Sequence, residues 1–141
     1  MIYPHPIRLA GPWEYARPGD DNAEGAWLPI RPDRDWELAF GDAFRGAVRL
    51  RRRFNRPARL DAHESVWIVF EGNRLSGEVR LNGGRLGALS PEEPLAEFEI
   101  LSVLEPHNEL LLDLRLDGRG ERWETVRLEI RRRLPTPAPA E

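Results

Sequence analysis

The sequence contains no cysteine and no lysine. The first absence excludes disulfides, zinc ribbons, thiol nucleophiles and iron–sulfur clusters. The second excludes a Schiff-base lysine and the lysine of a Walker phosphate loop, since all 21 basic residues are arginine. Long apolar runs are missing too. None approaches the ~20 residues that a membrane helix needs, so no membrane association is expected. The opening MIYPHPIRLAGP carries neither the basic flank nor the apolar stretch of a secretory signal, and a cytoplasmic location is the default expectation. Positive charge is not in excess either. The formal net charge is −3, which argues against a nucleic-acid partner.

What is present is a chain of 141 residues, 40% hydrophobic and 32% charged, enough for one globular domain with a real core. Helical periodicity is almost absent. Alternation with period two recurs instead, interrupted by turn residues every eight to twelve positions. In AVRLRRRF (47–54), Val48, Leu50 and Phe54 share one face while Arg49, Arg51 and Arg53 share the other. Arg52 falls on the apolar face, which predicts a bulge or an edge there. ESVWIVFEG (64–72) is apolar on both faces, as a central strand would be. NELLLDLRL (108–116) and ETVRLEIRR (124–132) alternate cleanly, LAEFEI (95–100) is a shorter strand, and RLAGPWEYA (8–16) opens the fold. Helix is expected only as a turn around 101–105. Such a series predicts an all-β antiparallel sandwich spanning 1–133, followed by a Pro-rich disordered tail at 134–141.

EVRLNGGRLG (78–87) tests the enzymatic alternative. A phosphate loop needs a strand, then glycines, then a helix whose N-terminus meets the anion. No helix follows here, and the paired glycines supply the positive φ of a tight hairpin turn. The serines (Ser65, Ser76, Ser90, Ser102) lie in no G-x-S-x-G context, and His5, His63 and His107 read as surface residues near turns and strand ends. The acids of PEEP (91–94) and PDRDW (32–36) could stand at glycosidase spacing, but they read as turn residues. Asp20, Asp21, Asn22 and Glu24 resemble a loose calcium loop without EF-hand order. No catalytic residue, metal or cofactor is therefore expected.

In order, LAGPWEY, WLPIRPDRDW, GAVRLRRRF, VWIVFEG with GEVRLNGGRLG, and PLAEFEILSVLEPHNELLLDLR resemble the N-terminal sugar-binding domain of family 2 glycoside hydrolases. The resemblance covers roughly residues 8 to 116. It implies a jelly-roll sandwich of the galactose-binding-like type. It also implies that the acid and nucleophile of such enzymes lie on a separate (β/α)₈ barrel, outside these motifs. One expectation is therefore a non-catalytic carbohydrate-binding module, and the other is a structural or protein-interaction domain that binds no sugar. A sugar platform needs an indole face flanked by groups that bind hydroxyls. Trp36 with Asp35 and Arg34, and Trp123 with Arg122 and Glu121, have that chemistry in loops. A competing role for Trp36 is to plug the sandwich end. Arg49–Arg53 and 127–133 would form a basic sheet face if their strands paired, and ordinary surface ion pairs if not.

Overall fold

Alternating apolar rows can be buried only if two sheets face each other, and two sheets are what this chain forms. The computed structural model describes residues 2–16, 27–32, 44–119 and 121–133. The described strands are β1 (His5–Arg8), β2 (Trp13–Ala16), β3 (Leu28–Ile30), β4 (Arg45–Asn55), β5 (Glu64–Glu71), β6 (Ser76–Leu81), β7 (Gly84–Leu89), β8 (Leu95–Glu99), β9 (His107–Asp117) and β10 (Thr125–Arg132). One sheet has the order β1-β10-β5-β8 and the other β3-β2-β4-β9-β6-β7. All pairings are antiparallel. A 3₁₀ turn at Leu101–Val103 is the helical element among the described residues, in the place that the sequence reserves for it. The loop at 17–25 and the tail at 134–141 lie outside the described residues.

The core comes from the alternation. Val66, Ile68 and Phe70 of β5 and Val126 and Leu128 of β10 face Val48 and Leu50 of β4 and Leu110, Leu112, Leu114 and Leu116 of β9. Each such side chain is buried, and each full burial contributes about 1.5–3 kcal/mol. β5 is central in its sheet, and its outward Val69 is buried as well. That accounts for its two apolar faces.

Two expectations are corrected, one of them in part. The opening segment is not one strand: β1 and β2 belong to different sheets, and Leu9–Pro12 carries the chain between them. Of the bulge or edge expected at Arg52, the bulge is absent, because β4 and β9 pair without a break from Arg45↔Asp117 to Asn55↔His107, while the β2 side does end there, its pairing stopping at Arg51. The register shift falls between Val79 and Arg80 in the β6–β7 hairpin instead. Of the two readings of the arginine stripes, ion pairing is the one that holds, since β4 and β10 lie in different sheets.

The stripes form ion pairs. Arg49 Nε donates to Asp113 at 2.7 Å, and Arg51 contacts Glu14 at 2.8 Å. On the other sheet, Glu129 accepts from Arg127 Nε at 2.7 Å and from Arg131 Nε at 3.0 Å, and Arg131 also binds Glu97. The Arg131 guanidinium lies 4.5 Å from the Trp67 ring centre. Glu129 is only 6% exposed. Burial opposes its ionisation, but the bonds from Arg127 and Arg131 outweigh that and hold its carboxyl below the ordinary carboxylate value. This stabilisation is present above the unfolded value near ~4.3 and is lost as pH falls through the lower folded value. Glu129→Gln should cost about 1–3 kcal/mol at neutral pH. The variant should also lose less stability than the parent on acidification below about pH 4. Parallel urea melts at pH 7 and pH 3 check both points, and a constant difference between the two proteins refutes the linkage.

The hairpin turn is Asn–Gly rather than Gly–Gly. Asn82 (φ 52°) and Gly83 (φ 85°) take the left-handed positions, and Gly84 begins β7. Gly83→Val should therefore lower stability by about 1–2 kcal/mol, because a β-branched residue resists the left-handed region. Gly84→Val should cost clearly less. Equal melts for the two variants would contradict the turn geometry.

Candidate functional site

Of the sequence-derived candidates, Asp33, Arg34, Asp35 and Trp36 lie outside the described residues, as do Asp20, Asp21, Asn22 and Glu24. Among the described residues no cluster of three or more His, Cys, Asp or Glu side chains could hold a metal ion. No helix there is long and apolar enough to cross a membrane.

Trp123 departs from its expected role. It is only 7% exposed. Its ring centre lies 5.2 Å from that of Trp13 and 5.9 Å from that of Phe70, whose ring meets it edge-on. The indole thus fills the end of the core rather than offering an open face. The physical reason is its position just ahead of β10, where Glu124 N donates to Glu71 O at 2.9 Å and extends the β10–β5 pairing toward Trp123. Part of Trp123 still lines a small cleft of about 110 Å³ with Trp13, Pro32, Arg8 and Thr125. Glu121 is committed elsewhere, accepting from Asp117 N at 2.6 Å and Arg119 N at 2.7 Å. Burial opposes its ionisation, yet those backbone donors keep its carboxyl below the ordinary value. Arg122 is exposed, and its carbonyl accepts from Arg74 N at 2.9 Å.

The catalytic alternatives gain nothing from the geometry. Glu92 accepts a hydrogen bond from the Ser90 hydroxyl, which holds its carboxyl below the ordinary value, whereas a general acid needs a raised one. His107 Nδ1 pairs with Asn55 Oδ1 at 2.9 Å, an amide in the place where a triad would hold a carboxylate or serine.

A larger cleft lies elsewhere among the described residues, and the sequence reading missed it. A cleft of about 750 Å³ opens between the sheets where β4 ends and β9 begins. Ile7, Leu9, Phe54, Pro57 and Leu128 give it an apolar floor. Arg8, Arg52, Arg53, Asn55, Asn82, His107, Asn108 and Glu109 supply polar groups. Apolar walls with a few convergent polar groups are the usual make-up of a small-molecule site. One wall is rigid: Asn108 Oδ1 accepts from Asn82 Nδ2 at 3.0 Å and from Glu105 N at 2.9 Å, and its amide donates to Phe54 O and Glu105 O. Arg8 lines both this cleft and the smaller one beside Trp123.

Arg52 is the unusual member. Strand parity turns it inward with Val48, Leu50 and Phe54. β2 pairs with β4 only at residues 49–51, so no strand covers Arg52 on that side. Its guanidinium donates to the Arg53 carbonyl and to Gly11 O at 3.2 Å, and its buried Nε has no acceptor. Burial lowers its affinity for the proton. The signal was in the sequence as the one charge on an apolar row, but it reads there as a strand defect.

No protein-family sequence model matches the chain, and no curated protein matches it in sequence. Solved structures do match in shape. Bifidobacterium dentium β-glucuronidase, solved with coumarin-3-O-glucuronide, superposes with a TM-score of 0.69 at 19% identity, over 94% of this chain and 32% of that one. A β-glucuronidase from glycoside hydrolase family 2 gives 0.69 at 17% identity, over 89% and 17%. A putative β-galactosidase from Bacteroides fragilis gives 0.67 at 18% identity, over 89% and 23%. The fold is that of a family 2 glycoside hydrolase domain. The chain spans a third or less of the length of these enzymes, which matches one domain of them. The described residues of this family 2-like domain form one β-sandwich and include no (β/α)₈ barrel.

Trp123→Ala should destabilise the domain by about 3–5 kcal/mol, as expected for a large buried aromatic. Denaturant unfolding measures it directly. A parent-like midpoint would mean that Trp123 is not a core residue.

Proposed function

We propose that this domain is a non-catalytic carbohydrate-binding module. The observation that carries the reading is the cleft of about 750 Å³ at the β4–β9 end, with its apolar floor and amide, imidazole and guanidinium rim. The likeness to domains of sugar-processing enzymes supports it. A sugar ring presents an apolar face to such a floor and hydroxyls to such a rim. Trp36, Asp35 and Arg34, with Arg122, remain candidates for a second contact at the sandwich rim. The burial of Trp123 favours a second reading, a structural or protein-interaction domain, because that aromatic serves packing.

Affinity should be weak, in the millimolar range that corresponds to about 4 kcal/mol, since an open cleft buries little of its ligand. NMR titration with galactosides, glucosides and glucuronides should shift the amides of Phe54, Asn55, His107 and Asn108. Shifts confined to residues near Trp36, and lost in Trp36→Ala, would move the site to the rim. No response to any glycan would put the interaction-domain reading first. The domain should hydrolyse no glycoside at enzyme rates, and turnover that survives repurification but disappears in a Glu92→Gln/Glu93→Gln variant would falsify the non-catalytic reading.

A further inference from the structure

We infer that the β4–β9 cleft selects ligands carrying a carboxylate, with Arg52 as the group that binds it. The inference rests on the carbohydrate-binding reading for the class of ligand, which is then an acidic saccharide of the uronate type. Its own ground is the charge balance of the cleft. Three arginines line it (Arg8, Arg52, Arg53) against one carboxylate (Glu109), a local excess of 3 − 1 = +2 in a chain whose net charge is −3. Arg53 is matched by Glu109 at 3.6 Å. Arg52 has no carboxylate partner among the described residues, and only backbone carbonyls accept its hydrogen bonds.

That arrangement is costly as pure structure. A half-buried guanidinium loses hydration, and here no counter-charge offsets the loss. The other inward arginine-free positions of β4, Val48 and Leu50, show that an apolar side chain fits this row. A charged side chain held in a cleft at a cost in stability marks a candidate ligand site. A planar carboxylate suits a guanidinium because two parallel N–H···O bonds can form at once. The Nε–H is out of reach of solvent as it stands. A small rotation of the side chain, giving up the 3.2 Å bond to Gly11 O, would turn that edge to the ligand. The apolar floor beside it lowers the local polarity on one side of the ion pair.

The test is calorimetry or NMR titration of the parent with glucuronate, with glucose as its neutral counterpart, and with succinate as a carboxylate without a sugar ring. Arg52→Gln and Arg52→Met are the variants. Arg119→Gln removes the same charge near the opposite end of β9, about 30 Å away at strand rise per residue. Both Arg52 variants should melt at or above the parent temperature. Glucuronate should bind the parent at least fivefold more tightly than glucose. That preference should vanish in both Arg52 variants and persist in Arg119→Gln. Equal binding of glucuronate and glucose, unchanged by Arg52→Gln, overturns the carboxylate inference and leaves the saccharide reading standing. Arg52-dependent binding of succinate and glucuronate without any glucose response upholds the carboxylate site and removes neutral sugars from the proposed function. Absence of all three responses overturns both.

Discussion

The eleven-residue antiparallel pairing of β4 with β9 is the constraint on which the rest of this domain depends. It runs without a bulge, so parity is fixed over its whole length. Val48, Leu50, Leu110, Leu112, Leu114 and Leu116 then face inward together and give the second sheet something to cover. The same parity sends Arg49, Arg51 and Arg53 outward, to Asp113, Glu14 and Glu109. It leaves Arg52 no choice. A one-residue slip of β4 would free that guanidinium but would turn Val48, Leu50 and Phe54 to water, at about 1.5–3 kcal/mol each. The core therefore holds the arginine in the cleft.

Around that ladder, buried amides close the ends of the sandwich. Asn73 Nδ2 donates to Leu75 O and Ser90 O, while its Oδ1 accepts from Leu75 N at 3.1 Å. Asn82 and Asn108 join the hairpin turn to the start of β9. These side chains satisfy backbone groups that no strand reaches, and each would otherwise be a buried polar group without a partner. They explain why loops at these ends can be short and still hold the cleft wall in place.

Much of this was legible in the sequence. Period-two alternation located β4, β9 and β10 to within a residue or two, because burial on one face acts on every second side chain, and a run apolar on both faces located β5. The opening segment was misread because its alternation continues across Leu9–Pro12 while the backbone changes sheet. The turn was placed correctly but given to the wrong pair, since Asn tolerates the left-handed region nearly as well as Gly and its neighbour Gly84 hid that. The cleft was not legible at all. Its lining comes from β1, β4, β9 and β10, and no local pattern states which strands share an end. Trp123 failed as an open platform for a related reason: a polar neighbourhood in sequence, GERWE, says nothing of a buried partner such as Trp13, which lies near the other end of the chain.

The arginine-only ion pairs also set how this surface responds to alkali. Guanidinium groups keep their charge above pH 12, whereas amines lose theirs near ~10.4. With no lysine and no cysteine, the two tyrosines are the only side chains with ordinary values between about pH 8 and pH 12. One of them, Tyr3, is held higher still by its hydrogen bond to Glu64. The ladder through Glu129 is thus a one-sided latch. Acid releases it by protonating the carboxylate, and base has almost nothing on the other side to take away.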